Sequence, residues 1–118
     1  MLGFLRPART AEPLETLIDR VAAGTLTLVD IRDAAELTRT GQAKGALHVP
    51  MVRLPMVADP RTPDHDPRLA PDRPVAIYCA TGARSAMAAR LLRRMGHAEV
   101  HNIGGLGDWV AAGGPCTR

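Results

Sequence analysis

The chain has 118 residues, 46% hydrophobic and 23% charged, with a formal net charge of +3, a composition that suits one globular domain with a core of its own. One Trp, one Tyr and one Phe make no stacking platform for single-stranded nucleic acid, and no apolar run approaches the roughly 20 residues of a bilayer span. Two cysteines are too few for a disulfide scaffold, and Arg6-Pro7 interrupts the short apolar start, so a reducing, cytoplasmic setting is expected, with no nucleic-acid or membrane partner.

Residues 1–11 lack periodicity and read as a loose N-terminal arm, with 12–118 as a single domain. Pro13 opens a helix, where its missing N–H costs little. Leu14, Leu17, Ile18 and Val21 recur at helical spacing as one buried stripe, and Gly24 stops the helix. Leu26 to Ile31 is a mostly buried strand ending near Asp30. Asp33-Ala34-Ala35-Glu36 has capping-box spacing, which predicts a short helix to about Thr40. Gly41 and Gly45 bracket a turn, and Ala46 to Val49 is a short strand closed by Pro50. Residues 51–57 allow a helical turn, kept short by Pro55. From Ala58 to Pro74, Pro60, Pro63, Pro67, Pro71 and Pro74 mark a surface loop, with one turn near Arg68-Leu69-Ala70.

Val75 to Tyr78 is an apolar strand, and a helical pattern begins near Ser85. Met87, Ala88, Leu91, Leu92 and Met95 are its expected buried face, and Gly96 its stop. Ala98 to Ile103 is a further strand, and Gly104-Gly105 a flexible corner. Leu106 to Ala112 is a last short helix that carries Trp109 into the core. This order implies an α/β domain with a parallel sheet, in which ligands sit beyond the carboxyl ends of the strands. Asp30 and Cys79 both fall at such ends.

Cys79 lies between a strand end and a helix start. A helix start offers unpaired N–H groups and partial positive charge, which favour the thiolate, the reactive form of cysteine. Cys79-Ala80-Thr81-Gly82-Ala83-Arg84-Ser85 therefore reads as a nucleophile cradle. Cys116, near a chain end expected to fray, reads as incidental. His48, His65, His97 and His101 show no metal-ligand interval, so no metal site is expected. Arg90, Arg93 and Arg94 read as the solvated face of their helix.

Four pieces carry a resemblance to a known family. They are Leu28-Val29-Asp30-Ile31-Arg32 followed by Glu36; Gly41-Gln42-Ala43-Lys44-Gly45-Ala46 with His48-Val49-Pro50; Cys79 through Ser85; and Gly104-Gly105 followed by Trp109. In this order and spacing the chain resembles the single-domain rhodaneses, the thiosulfate sulfurtransferase-like family. The resemblance implies a rhodanese-like α/β fold, a central mostly parallel sheet with helices on both faces. It implies a sulfurtransferase in which Cys79 takes a sulfane sulfur as a persulfide and passes it on, without organic cofactor or metal. The expected partners are a small anionic donor (thiosulfate, persulfide or polysulfide) and an acceptor that is cyanide, a thiol or a protein thiol. A monomer is the simplest expectation.

The N–H groups of Ala80, Thr81, Gly82, Ala83, Arg84 and Ser85 would form the substrate-binding loop. Asp30, Arg32 and Glu36 would support the site. Arg84 has two readings: it binds the donor's anionic group, or it pairs with Asp30 or Glu36 and braces the loop, the reading favoured here. Asp30 would need a cation or N–H groups to neutralise it, since a bare carboxylate beside Cys79 would raise the thiol pKa. The chain departs from the family at Gly41-Gln42-Ala43, commonly Gly-His-Ile, and at Ala80. Members specialised for thiosulfate often carry a basic residue at the latter place, so persulfide, polysulfide and protein-bound donors stand equal to thiosulfate. Two alternatives stand beside this reading. One is a persulfide carrier or sensor with little turnover. The other is a phosphatase or arsenate reductase of related fold, whose cysteine and arginine sit one residue further apart to cradle a tetrahedral oxyanion.

Overall fold

A computed structural model describes residues 11–118 of the chain. Of the arm expected over 1–11, residues 1–10 lie outside the described residues. Four parallel strands form the central sheet: β1 (Thr27–Asp30), β3 (Leu47–His48), β4 (Val75–Cys79) and β5 (Val100–Gly105), in the order β3-β1-β4-β5. The helices are α1 (Leu14–Ala22), α2 (Ala34–Thr40), α3 (Leu54–Val57), α4 (Ala83–Arg94) and α5 (Leu106–Ala111). Two short strands, β2 (Gln42–Ala43) and β6 (Cys116–Thr117), pair antiparallel at one side. No helix among the described residues is long and apolar enough to cross a membrane.

Strand side chains alternate between the two faces of the sheet, and here both faces are covered. Val29, Ile31, Val75, Ile77, Cys79 and Val100 pack on one side with Leu54, Val57, Ala88, Ala89 and Leu92, from α3 and α4. Leu28, Ala76, Tyr78 and Ile103 pack on the other with Leu17 of α1 and Trp109 of α5. Each large side chain so buried contributes roughly 1.5–3 kcal/mol, and the expected two-sided α/β layering follows from this double burial. Trp109 is core, as expected, and its indole N–H donates to Pro115 O at 2.8 Å.

The expected elements are all present, with four local differences. α4 begins at Ala83, ahead of Ser85, and its buried residues are Ser85, Ala86, Ala88, Ala89 and Leu92. Met87, expected in that face, is 54% exposed. Small residues let the helix lie close to the sheet, and that sets its rotation. Gly104-Gly105 is not a flexible corner but the buried end of β5. Cys116 is not in a frayed end: it sits in β6, opposite Ala43. No local pattern announces a two-residue strand, because its partner lies more than seventy positions earlier.

The chain leaves β1 towards β3 on one side of the sheet and leaves β4 towards β5 on the other. The loops after β1 and β4 thus part, and a crevice opens beyond their carboxyl ends, as in other open α/β sheets.

Candidate functional site

The crevice brings together the ends of β1 and β4, where Asp30 is in register with Tyr78. Cys79, the last residue of β4, is buried, and Ala80, Thr81 and Ala83 form the exposed rim above it. Gly82 turns the chain into α4 with φ +107°, a left-handed conformation open to glycine at little cost. That turn points backbone groups inward: Cys79 Sγ accepts the N–H of Gly82 at 3.0 Å and that of Ser85 at 3.4 Å. Burial pushes the thiol up, but the Ser85 hydroxyl and the N–H groups of Ser85, Gly82 and Thr81 together outweigh it and hold the thiol below its usual value. The segment read as a nucleophile cradle thus has the geometry of one.

Gly105 closes the loop from beneath. A methyl group there would collide with the carbonyl oxygen of Ala80, so the loop rests directly on β5 backbone. Asp108 accepts the Gly105 N–H at 2.7 Å and anchors the start of α5.

Of the two partners expected for Arg84, the structure has Glu36. The contact is bidentate, at 2.7 and 2.9 Å. Glu36 is itself fixed by a capping box with Asp33: each side chain accepts the other's backbone N–H at 3.0 Å. The Arg84 guanidinium holds the Glu36 carboxyl down to about 2, against an opposing desolvation.

Asp30 is neutralised by a neighbour two residues on. Arg32 donates from Nε and Nη2 to its carboxylate at 2.8–3.2 Å, and the Arg32 N–H adds a bond at 2.9 Å. Both side chains are almost wholly buried. Arg32 also reaches Thr40 Oγ1 and Gly41 O, each at 2.8 Å. Tyr78 donates its hydroxyl hydrogen to Asp30 at 2.6 Å and accepts the Ala43 N–H at 2.9 Å. Burial, first, and the Asp30 carboxylate push the Tyr78 phenol up, so it stays a donor. Asp30 and Arg32 thus lock β1, β4, α2 and β2 together beside the loop.

The residues expected at the site therefore converge, from Asp30 and Arg32 through Glu36 to the loop 79–85. Sequence reasoning missed Tyr78 and Asn102. Both look like ordinary strand residues, and only the register of β4 with β1 and β5 shows what they face. Beside the loop lies a cleft of about 490 Å³, lined by Arg32, Thr40, Ala80, Leu106 and Val110 among others. Away from the site, Glu12, Glu99 and His101 meet, a grouping the sequence intervals did not reveal. Arg20 donates to both carboxylates there, at 2.7 Å to Glu99 and 3.3 Å to Glu12.

A family model for the rhodanese-like domain matches residues 13–112. A protein named sulfurtransferase from Allochromatium vinosum is 36% identical over 103 residues, 86% of this chain and 88% of that protein. A solved protein of unknown function from Rhodopseudomonas palustris, described as a possible tyrosine phosphatase, aligns with TM-score 0.73 and 29% identity, over 96% of this chain and 100% of its own. A human single-domain sulfurtransferase aligns with TM-score 0.69 and 24% identity, over 86% and 97% of the two chains, a likeness of fold.

Proposed function

The chain belongs to the rhodanese-like domain family, and from that premise we propose that it transfers sulfane sulfur through a persulfide on Cys79. The observation that carries this reading is the cradle itself. A buried sulfur accepts N–H groups at a helix start, while the loop arginine is paired with Glu36. Such a pocket stabilises charge on sulfur in both the thiolate and the persulfide.

In the first half-reaction the Cys79 thiolate attacks the outer sulfur of a persulfide, polysulfide or thiosulfate. A new S–S bond forms, the donor's S–S bond breaks, and the leaving thiolate or sulfite takes the electron pair. In the second, a thiolate or cyanide attacks the outer sulfur of the Cys79 persulfide. The acceptor leaves as a persulfide or thiocyanate, and the Cys79 thiolate is restored. Sulfur changes hands with no net oxidation.

The rival phosphatase reading needs an arginine that faces a tetrahedral oxyanion inside the loop. Here Arg84 is bound at both terminal nitrogens by Glu36. The shorter spacing and that commitment favour sulfur.

The test is intact mass after incubation of Cys116→Ser protein with thiosulfate or polysulfide. One added sulfur, removed by reductant and absent in Cys79→Ala, is the expected result. No gain, or equal gain without Cys79, overturns the proposal. Cys79-dependent hydrolysis of an aryl phosphate would favour the rival.

A further inference from the structure

Asn102 lies outside the loop and carries no charge, yet it reaches the sulfur through one intermediary. Ser85 Oγ stands 2.6 Å from Asn102 Oδ1, 3.1 Å from Gly82 O, 3.3 Å from Gly104 O and 3.4 Å from Cys79 Sγ. A hydroxyl has one hydrogen, so these four acceptors compete for it. Asn102 Oδ1 is the nearest, and it is pinned by the Gly104 N–H at 3.0 Å. Ser85 is fully buried and Asn102 is 3% exposed, so the contest is decided inside the protein.

The placement of Asn102 comes from strand alternation: it lies two residues beyond Val100, which packs on the Cys79 face of the sheet. Ile77 pairs with Asn102, but Tyr78 pairs with Gly104, so Ile103 is an extra residue in β5. Ile103 packs on the far face of the sheet, with Leu17 and Trp109. The bulge follows Asn102 and brings Gly104 and Gly105 into register with Tyr78 and Cys79, beneath the cradle.

We infer that Asn102 is a positioning residue for the nucleophile: it competes with Cys79 Sγ for the single hydrogen of Ser85 and so favours the neutral thiol. With the thiol protonated, its S–H donates to Ser85 Oγ, and the hydroxyl hydrogen points to Asn102. When the thiol loses its proton to solvent, the charged sulfur becomes the stronger acceptor. The hydroxyl then turns to the sulfur, and Asn102 keeps only the Gly104 N–H of these two bonds. Each charge state of Cys79 has its own orientation of one hydroxyl, and Asn102 sets the balance between them. The use of that balance rests on the sulfur-transfer reading, because it tunes how readily Cys79 becomes a nucleophile.

The charged groups around the loop are already paired. Arg84 of α4 is held by Glu36 of α2 beside Asp33, Asp30 of β1 by Arg32, and Asp108 of α5 accepts the Gly105 N–H. None of them bonds to Ser85.

The test is the rate of Cys79 alkylation by iodoacetamide against pH, read by intact mass in the full chain carrying Cys116→Ser. Asn102→Ala removes the nearest competitor and leaves the sulfur against two backbone carbonyls, so the midpoint moves down by up to about half a pH unit, part of one hydrogen bond's worth. Ser85→Ala moves it up by a similar amount, and the double variant matches Ser85→Ala. A role confined to holding the loop together would move both single variants the same way. An upward or absent shift in Asn102→Ala, or simple addition in the double variant, overturns the inference. If Asn102→Ala fails to fold, Asn102→Asp keeps shape and acceptor atoms and is expected to move the midpoint up; no shift, or a downward one, overturns it. These readouts need no sulfur donor. The shifts without persulfide formation would sink the functional reading alone, and persulfide formation without the shifts would sink this inference alone.

Discussion

Arg84 reaches back to Glu36 across 48 positions of sequence and donates both terminal nitrogens to its two carboxylate oxygens. The contact ties the first turn of α4 to the first turn of α2. If bracing is its role, Arg84→Ala and Glu36→Gln lower persulfide yield to similar extents, and equally with thiosulfate, a dianion, and with an alkyl persulfide, which carries a single charge. A defect confined to thiosulfate in Arg84→Ala would assign the arginine to donor binding instead. The Arg84 side chain is 41% exposed, so solvent screening limits the loss of stability in either variant to about 1 kcal/mol.

The same pair sets an acid limit. The carboxyl of Glu36 lies at about 2 in the fold against an ordinary 4.5. A depressed folded value means that the ionised pair stabilises fully above the ordinary value and loses its contribution as pH falls from there towards 2. Thermal midpoints measured between pH 5 and pH 2.5 should therefore fall less steeply in Glu36→Gln than in wild type. Parallel slopes would remove Glu36 from the acid response.

Arg32→Met leaves the Asp30 carboxylate buried with only Tyr78 and a backbone N–H. Removing one partner of a buried pair costs about 3–5 kcal/mol. The double change Asp30→Asn with Arg32→Met should recover part of that loss, because no lone charge remains. Urea denaturation of the single and double variants measures both. A loss below 1 kcal/mol in Arg32→Met would show that water reaches the pair.

Gly105→Ala tests the contact between β5 and the loop. Its methyl group meets the Ala80 carbonyl, which is backbone and cannot swing aside. Overpacking of this kind costs roughly 1–3 kcal/mol. It should also lift Ala80 and Thr81 away from Cys79 and slow persulfide formation. A variant with wild-type stability and rate would mean that the loop shifts freely.

The two cysteines should differ in acidity. Hydrogen bonds hold Cys79 below the usual thiol value, whereas partial desolvation pushes Cys116, on an exposed strand, up. Alkylation at graded pH, followed by peptide mass spectrometry, should give Cys79 the lower midpoint. The reverse order would contradict the cradle's electrostatics.

Much of the fold is legible in local patterns. The stripe Leu14, Leu17, Ile18 and Val21, the capping box at Asp33 and Glu36, and the apolar run before Cys79 each encode one element, because each depends on neighbours within a few residues. Met87 was misjudged because α4 turns its small residues, not its larger Met, towards the sheet. β6 and the place of Cys116 were hidden because a two-residue strand has no periodicity of its own. At the site, the loop 79–85 and the carboxylates Asp30 and Glu36 could be named from motifs. Their partners could not: sequence left Arg84 open between Asp30 and Glu36, and tertiary placement joined it to Glu36 while Arg32 took Asp30.

By itself the sequence determined that a cysteine stands between a strand and a helix start, with a glycine to turn the loop, because hydrophobic periodicity and backbone conformation act over short stretches of chain. Only the tertiary structure decided which groups reach that cysteine. Parallel pairing carries Tyr78 to Asp30 and Asn102 to the face where Ser85 lies, and the bulge at Ile103 brings Gly105 beside Cys79. Hydrogen bonds depend on distances of a few tenths of an ångström, and those are set by register between strands that the chain joins only after long excursions.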